Sequence, residues 1–137
     1  MDSPLSFNAT EVFKLHPEVY DKELRDLLYD GHSPFVFENL HFVQSVSESK
    51  SINTMKEPMV IISASGMCEN GRIRHHLKNN ITNPANTIVV VGFMAEHTLG
   101  RRIAEKNSTV NIFGEPYPLN ARVVNVDGFS AHADHDG

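Results

Sequence analysis

A single cysteine, Cys68, stands in this chain of 137 residues. One thiol excludes an internal disulfide framework and a cysteine-cluster zinc site, and it fits a reducing compartment. Positive charge is also short, with 12 Lys and Arg against 17 Asp and Glu and a net charge of −5. No broad cationic field surrounds the molecule, so nucleic acid could be held only by a local patch of Lys and Arg. No apolar run approaches the ~20 residues of a membrane span. The start, MDSPLSFNATEVFKLHPEVY, lacks the basic and apolar regions of a secretory signal. These absences point to a cytoplasmic protein without a membrane partner. Repeats, low-complexity tracts and linkers are missing too, so residues 1–137 are expected to form one domain. Its 40% hydrophobic and 21% charged content is that of an ordinary globular core.

What is present is a pattern of short elements. Ser6 to Leu15 reads as a helix, with Ser6 or Asn8 as cap and Ala9, Val12 and Phe13 on one stripe. DKELRDLLYDG reads as a second helix, capped by Asp21, buried through Leu24, Leu27 and Leu28, and stopped at Gly31. A short strand is expected near Leu40 to Gln44, then a polar helix in SVSESKSINTM that ends by Pro58. MVIIS, TIVVVG, TVNIF and ARVVNV are runs rich in Val and Ile, most of them continuously apolar, as in strands covered on both faces. Helical stretches, GRIRHHLKNN and LGRRIAEKN, follow the first and second of these runs. Such alternation predicts an α/β fold with a three-layer, mostly parallel sheet flanked by helices.

In a parallel sheet, function gathers in the loops at the carboxyl ends of the strands. Here those loops are SASGMCENG, GFMAEHTLG and DGFSAHAD. In the first, Ser63, Ser65, Gly66 and Gly71 would let backbone approach a ligand. Free N–H groups at a helix start, with Arg72 and Arg74 beyond, would suit a phosphate. A tight turn that needs glycine for its dihedrals explains the same residues, since no complete P-loop or G-x-G-x-x-G spacing is present. The second loop repeats the logic with Gly92, Thr98, Gly100 and Arg101, although Thr98 also fits as a plain helix cap. His75 and His76 are adjacent and diverge by about a quarter turn on a helix, a poor geometry for one metal; one partly buried and one solvated histidine are expected. The third loop carries His132, Asp134, His135 and Asp136. A catalytic zinc usually needs three protein ligands, and no second His cluster with matching spacing accompanies this one. A polar loop or a general acid/base site, titrating near neutral pH, both remain.

Taken together, DSPL, SASGMCENGRIRHHL, VGFMAEHTLGRRI and GFSAHAD closely resemble the β-CASP family, along Asp2 to Asp134. These are RNA-processing nucleases of the metallo-β-lactamase superfamily, some acting on DNA. The pattern is most similar to the exonuclease-like members and the polyadenylation-factor endonucleases. G-F-S-A-H-A-D and S-G-M-x-x-x-G-R-x-x-H-H-L are the specific parts. The resemblance implies a Rossmann-like β-CASP domain that lids a metallo-β-lactamase domain, whose H-x-H-x-D-H motif binds two zinc ions. No H-x-H-x-D-H occurs in this sequence. Residues 1–137 are therefore expected to be an excised β-CASP domain, without metal ligands of its own and catalytically incomplete. Single-stranded RNA and the missing metallo-β-lactamase domain would be its partners, with a homodimer also possible. A module that merely binds nucleotide or phosphate, or a protein-interaction domain, is the alternative.

The resemblance also places roles. His132 matches the histidine of S-A-H-x-D, which protonates the leaving oxygen or steadies the scissile phosphate. Asp134 matches the same motif and is expected to fix the loop or cap the following helix. Ser65, Gly66 and Met67 fall in a cleft-lining loop that would hold RNA phosphates with Arg72. Thr98 and Gly100 match G-T-L-G, with His97 where many relatives carry glycine, a departure that bears on the backbone freedom of that loop.

Overall fold

A computed structural model describes residues 1–126 and residue 128. The chain is α/β and divides into two compact units, the first ending at Ser63 and the second starting at Ala64.

The first unit is helical. Helix α1 spans Pro4–Lys14, and its cap is Ser3, whose hydroxyl accepts from the Ser6 N–H at 3.2 Å. The helix thus starts earlier than Ser6, because proline at the first helical position is already set at a helical φ and lacks only an N–H that would go unused. Asp2, almost wholly buried, accepts from the Ser49 hydroxyl at 2.6 Å, and its N–H donates to the Ile62 carbonyl at 2.7 Å. A 3-10 turn, Pro17–Val19, leads to helix α2, Lys22–Tyr29, capped by Asp21 as expected. Helix α3, Val46–Ile52, opens on a capping box in which Ser45 and Glu48 satisfy each other's backbone N–H groups. Aromatic rings cluster here around the buried Tyr20. Phe13 lies 4.9 Å from Tyr20 and 5.6 Å edge-on from Phe35, ring centre to ring centre, separations at which such pairs attract.

Two expected strands are not there. Residues 40–44 make single hydrogen bonds, Met1 N to His41 O and Val43 N to Met1 O, and no ladder. MVIIS contributes only an isolated parallel bridge between Asp2 and Ser63, and Val60 and Ile62 stand exposed. Apolar β-branched residues make a strand only where a partner edge lines up beside them. The stripe expected of α2 is likewise half open, with Leu27 exposed.

The second unit holds the α/β layer. It contains helix α4 (Ile73–Asn80), strand β1 (Thr87–Val91), helix α5 (Leu99–Ala104), and strands β2 (Thr109–Ile112), β3 (Glu115–Pro118) and β4 (Arg122–Val126). β1 and β4 are parallel, with Thr87 opposite Arg122 and Val91 opposite Val126. β2 instead pairs antiparallel with β3, through a two-residue turn at Phe113 and Gly114, both at left-handed φ. That backbone suits the right-handed twist of a hairpin. β3 escapes a sequence reading because EPYP carries two prolines, tolerated only where no ladder partner needs their missing N–H. Leu77, Ile81, Val90, Leu99, Ile103, Val110, Ile112 and Val123 form the core. β1 alternates, with Val90 buried and Val89 and Val91 exposed, so its continuous apolar run is covered on one face in this chain.

Candidate functional site

The loop that follows Ala64 is shaped by close backbone contacts. The Ala64 carbonyl accepts from Ile73 N at 3.2 Å, which occupies a first-turn donor of α4. Gly71, at φ +75°, passes so close to that carbonyl that a Cβ there would lie 2.6 Å from its oxygen. Glycine is required on both counts. Cys68 N donates to Ser65 O at 3.1 Å, closing a tight turn.

A second loop, 92–98, is held against the first at the start of α5. Gly100 N donates to Met67 O at 2.9 Å, Leu99 N donates to the Glu69 carboxylate, and Ala95 N points at Met67 Sδ from 3.1 Å. A Cβ on Gly100 would sit 3.1 Å from Met67 O, 3.2 Å from Gly66 O and 2.6 Å from Met94 Sδ. This glycine therefore lets two loops touch. Thr98 caps α5: its hydroxyl accepts from Arg101 N at 3.1 Å and donates to Ala95 O at 2.7 Å. His97, just before it, sits at φ +67°, a left-handed backbone that costs a non-glycine residue about 1 kcal/mol.

The helix-start donors Ile73, Leu99, Gly100 and Arg101 are thus all used within the fold. Ser65, Gly66 and Met67 differ: no hydrogen bond of the described residues uses their backbone N–H groups, and Gly66 is exposed. Of the sequence-predicted residues, the structure brings Gly66 and Met67 together with Gly100, and it places Thr98 as a cap beside them. Arg72 stands at the N-cap of α4. His132 and Asp134 lie outside the described residues. His76 is buried and His75 exposed, as their adjacency on a helix implied.

Sequence reading missed Glu69, whose carboxylate reaches the first turn of α5, thirty residues on. Nothing local marks such a contact. It also passed over Phe113, which takes the Arg74 guanidinium over its ring at 4.1 Å.

Cys68 is mostly enclosed beside Glu69. Burial first, and the neighbouring carboxylate second, push its thiol up to about 11 from an ordinary 9.0. The thiolate is the nucleophile, so at pH 8 native Cys68 is expected to react with iodoacetamide on the order of a hundredfold more slowly than in the urea-unfolded chain. Equal rates would contradict this packing.

Among the described residues no group of three or more His, Cys, Asp or Glu side chains could hold a metal ion, and no helix is long and apolar enough to cross a membrane. H-x-H-x-D-H is absent from the sequence as well.

The Beta-Casp domain profile matches residues 1–103, taking in both loops and the start of α5. The chain belongs to the Beta-Casp family. Ribonuclease TTHA0252 of Thermus thermophilus is 37% identical over 139 residues, covering 99% of this chain and 32% of that protein. Transcription termination factor FttA is 33% identical in Pyrococcus abyssi and 34% in Methanosarcina mazei, each match covering 93% of this chain and 21% of the factor. The Beta-Casp chain described here thus spans about a fifth to a third of the length of these relatives.

Proposed function

We propose that this chain is the substrate-lid domain of a zinc-dependent RNA-processing nuclease, a phosphodiester hydrolase, and is catalytically incomplete by itself. One observation carries the reading: almost the whole chain aligns with a protein named a ribonuclease, while making up only 32% of it. The remainder would include the metallo-β-lactamase domain, the chain's first partner. Its two zinc ions would polarise the phosphate and supply hydroxide.

This chain's own part is to bind and to move a proton. The unengaged N–H groups of Ser65, Gly66 and Met67 would receive phosphate oxygens of single-stranded RNA, and Arg72 would add charge. Gly100 and Thr98 would act by holding that loop in place, since their own polar groups are occupied. His132 would protonate the leaving oxygen, with Asp134 fixing its loop. The cytoplasm is the expected compartment.

The test compares the longer natural protein with this chain on labelled single-stranded RNA. The longer protein should cleave it in a manner abolished by chelation and restored by zinc, whereas this chain should bind and release no product. Cleavage by the chain alone, or none by the zinc-loaded longer protein, would contradict the proposal.

A second reading, a protein-contact surface that includes a homodimer, is favoured by Val36 and Phe37, which are 67% and 55% exposed. Apolar side chains that join into a contiguous exposed patch mark contact sites. Sedimentation of the chain, with and without Val36→Ser and Phe37→Ser, separates self-association from a monomer.

A further inference from the structure

Helix α4 presents Arg74 and Lys78 one turn apart on one face, against the β2–β3 hairpin. The Arg74 guanidinium lies 4.1 Å from the Phe113 ring centre, and the Lys78 ammonium 5.9 Å from that of Tyr117. The exposed His75 ring packs on Phe113 as well, at 4.8 Å and 40°. Two cation–aromatic pairs therefore follow one another about 6 Å apart along the helix axis.

Phe113 is an odd choice for its position. The turn needs left-handed backbone, which Asn or Gly supplies cheaply, yet a phenylalanine sits there at φ +54° with 41% of its surface exposed. It incurs strain and leaves apolar area in water. The Arg74 contact offsets part of that. Arg74 also donates from Nη1 to Glu69 O at 3.2 Å, which joins this surface to the loop that carries Ser65, Gly66 and Met67. Glu115 lies 3.7 Å from Lys78 and accepts from the Tyr117 hydroxyl at 2.8 Å. A carboxylate there disfavours phosphate, and with Tyr117 half-buried against the core the exposed part of the Phe113 ring is the available chemistry.

We propose that Phe113, backed by Arg74 and His75, forms a stacking surface for unpaired bases of single-stranded RNA, beside the loop that takes its phosphates. Aromatic faces stack on any base, so the contact is tolerant of sequence. This inference rests on the RNA reading above and extends it to a second group of residues.

The chain has no tryptophan, so Phe113→Trp installs a single reporter. Its emission should be quenched by an oligouridylate and left unchanged by an abasic backbone of equal length. Phe113→Leu should weaken oligouridylate binding about five- to a hundredfold and barely alter abasic binding, with circular dichroism as the check on folding. Arg72→Gln should weaken both oligomers alike. If Arg72→Gln weakens binding while Phe113→Leu does not, the stacking surface is overturned and the phosphate loop stands. The opposite pattern removes the loop and keeps the surface. Unquenched tryptophan at saturating oligouridylate, or no binding of oligouridylate by the unaltered chain, overturns the stacking surface.

Discussion

Replacing His132 with alanine in the longer natural protein is expected to lower RNA turnover about a hundred- to ten-thousandfold, the range of a lost general acid. Folding and zinc content should stay as they were. The alkoxide released when a phosphodiester breaks must gain a proton, and an imidazole can hold one near neutral pH. A general acid works only when protonated, so the rate of the unaltered protein should fall as pH rises. The alanine variant should lose that limb of the profile. A merely structural histidine would lower activity without changing the profile's shape, and normal turnover would remove the proposed role.

The second large effect concerns stability. Gly71→Ala is expected to destabilise the second unit by about 2–4 kcal/mol. Two costs add there, because φ is +75° and the new Cβ would lie 2.6 Å from the Ala64 oxygen. That oxygen belongs to a backbone held by Ile73 N, so it cannot swing aside without freeing the start of α4. Gly114→Ala isolates the first cost, since φ is +83° with nothing within 4 Å. It should lose only about 1 kcal/mol. Denaturant titration of both variants checks the difference, and equal losses would mean that the approach to Ala64 does not shape the loop.

What the sequence made legible follows from how local the signals are. Caps were readable at Asp21 and Thr98, because a short polar side chain placed before an apolar stripe satisfies orphan N–H groups within one turn. β1 and β4 were readable from their Val and Ile runs, and α4 and α5 from the helical stretches beside them. Ser3 rather than Ser6 is the cap because Pro4 suits the first helical position, a signal weaker than the hydroxyl itself. MVIIS failed as a strand for a reason outside its own residues, namely that a strand needs a paired edge. At the candidate site the glycines were visible, but not which neighbour each one admits. That Gly71 accommodates Ala64 and Gly100 accommodates Met67 depends on contacts across the fold. The same holds for Glu69 on Leu99 and for Arg74 on Phe113.

The central claim is that the loop after Ala64 offers the N–H groups of Ser65, Gly66 and Met67 to RNA phosphates, while those of Leu99, Gly100 and Arg101 are spent in holding it. Amide chemical-shift mapping of the isotope-labelled chain during titration with single-stranded RNA tests this at the atoms concerned. The amides of Ser65, Gly66 and Met67 should move most and saturate together, with Leu99, Gly100 and Arg101 nearly still. Saturable shifts elsewhere, with Ser65, Gly66 and Met67 unmoved, would contradict it.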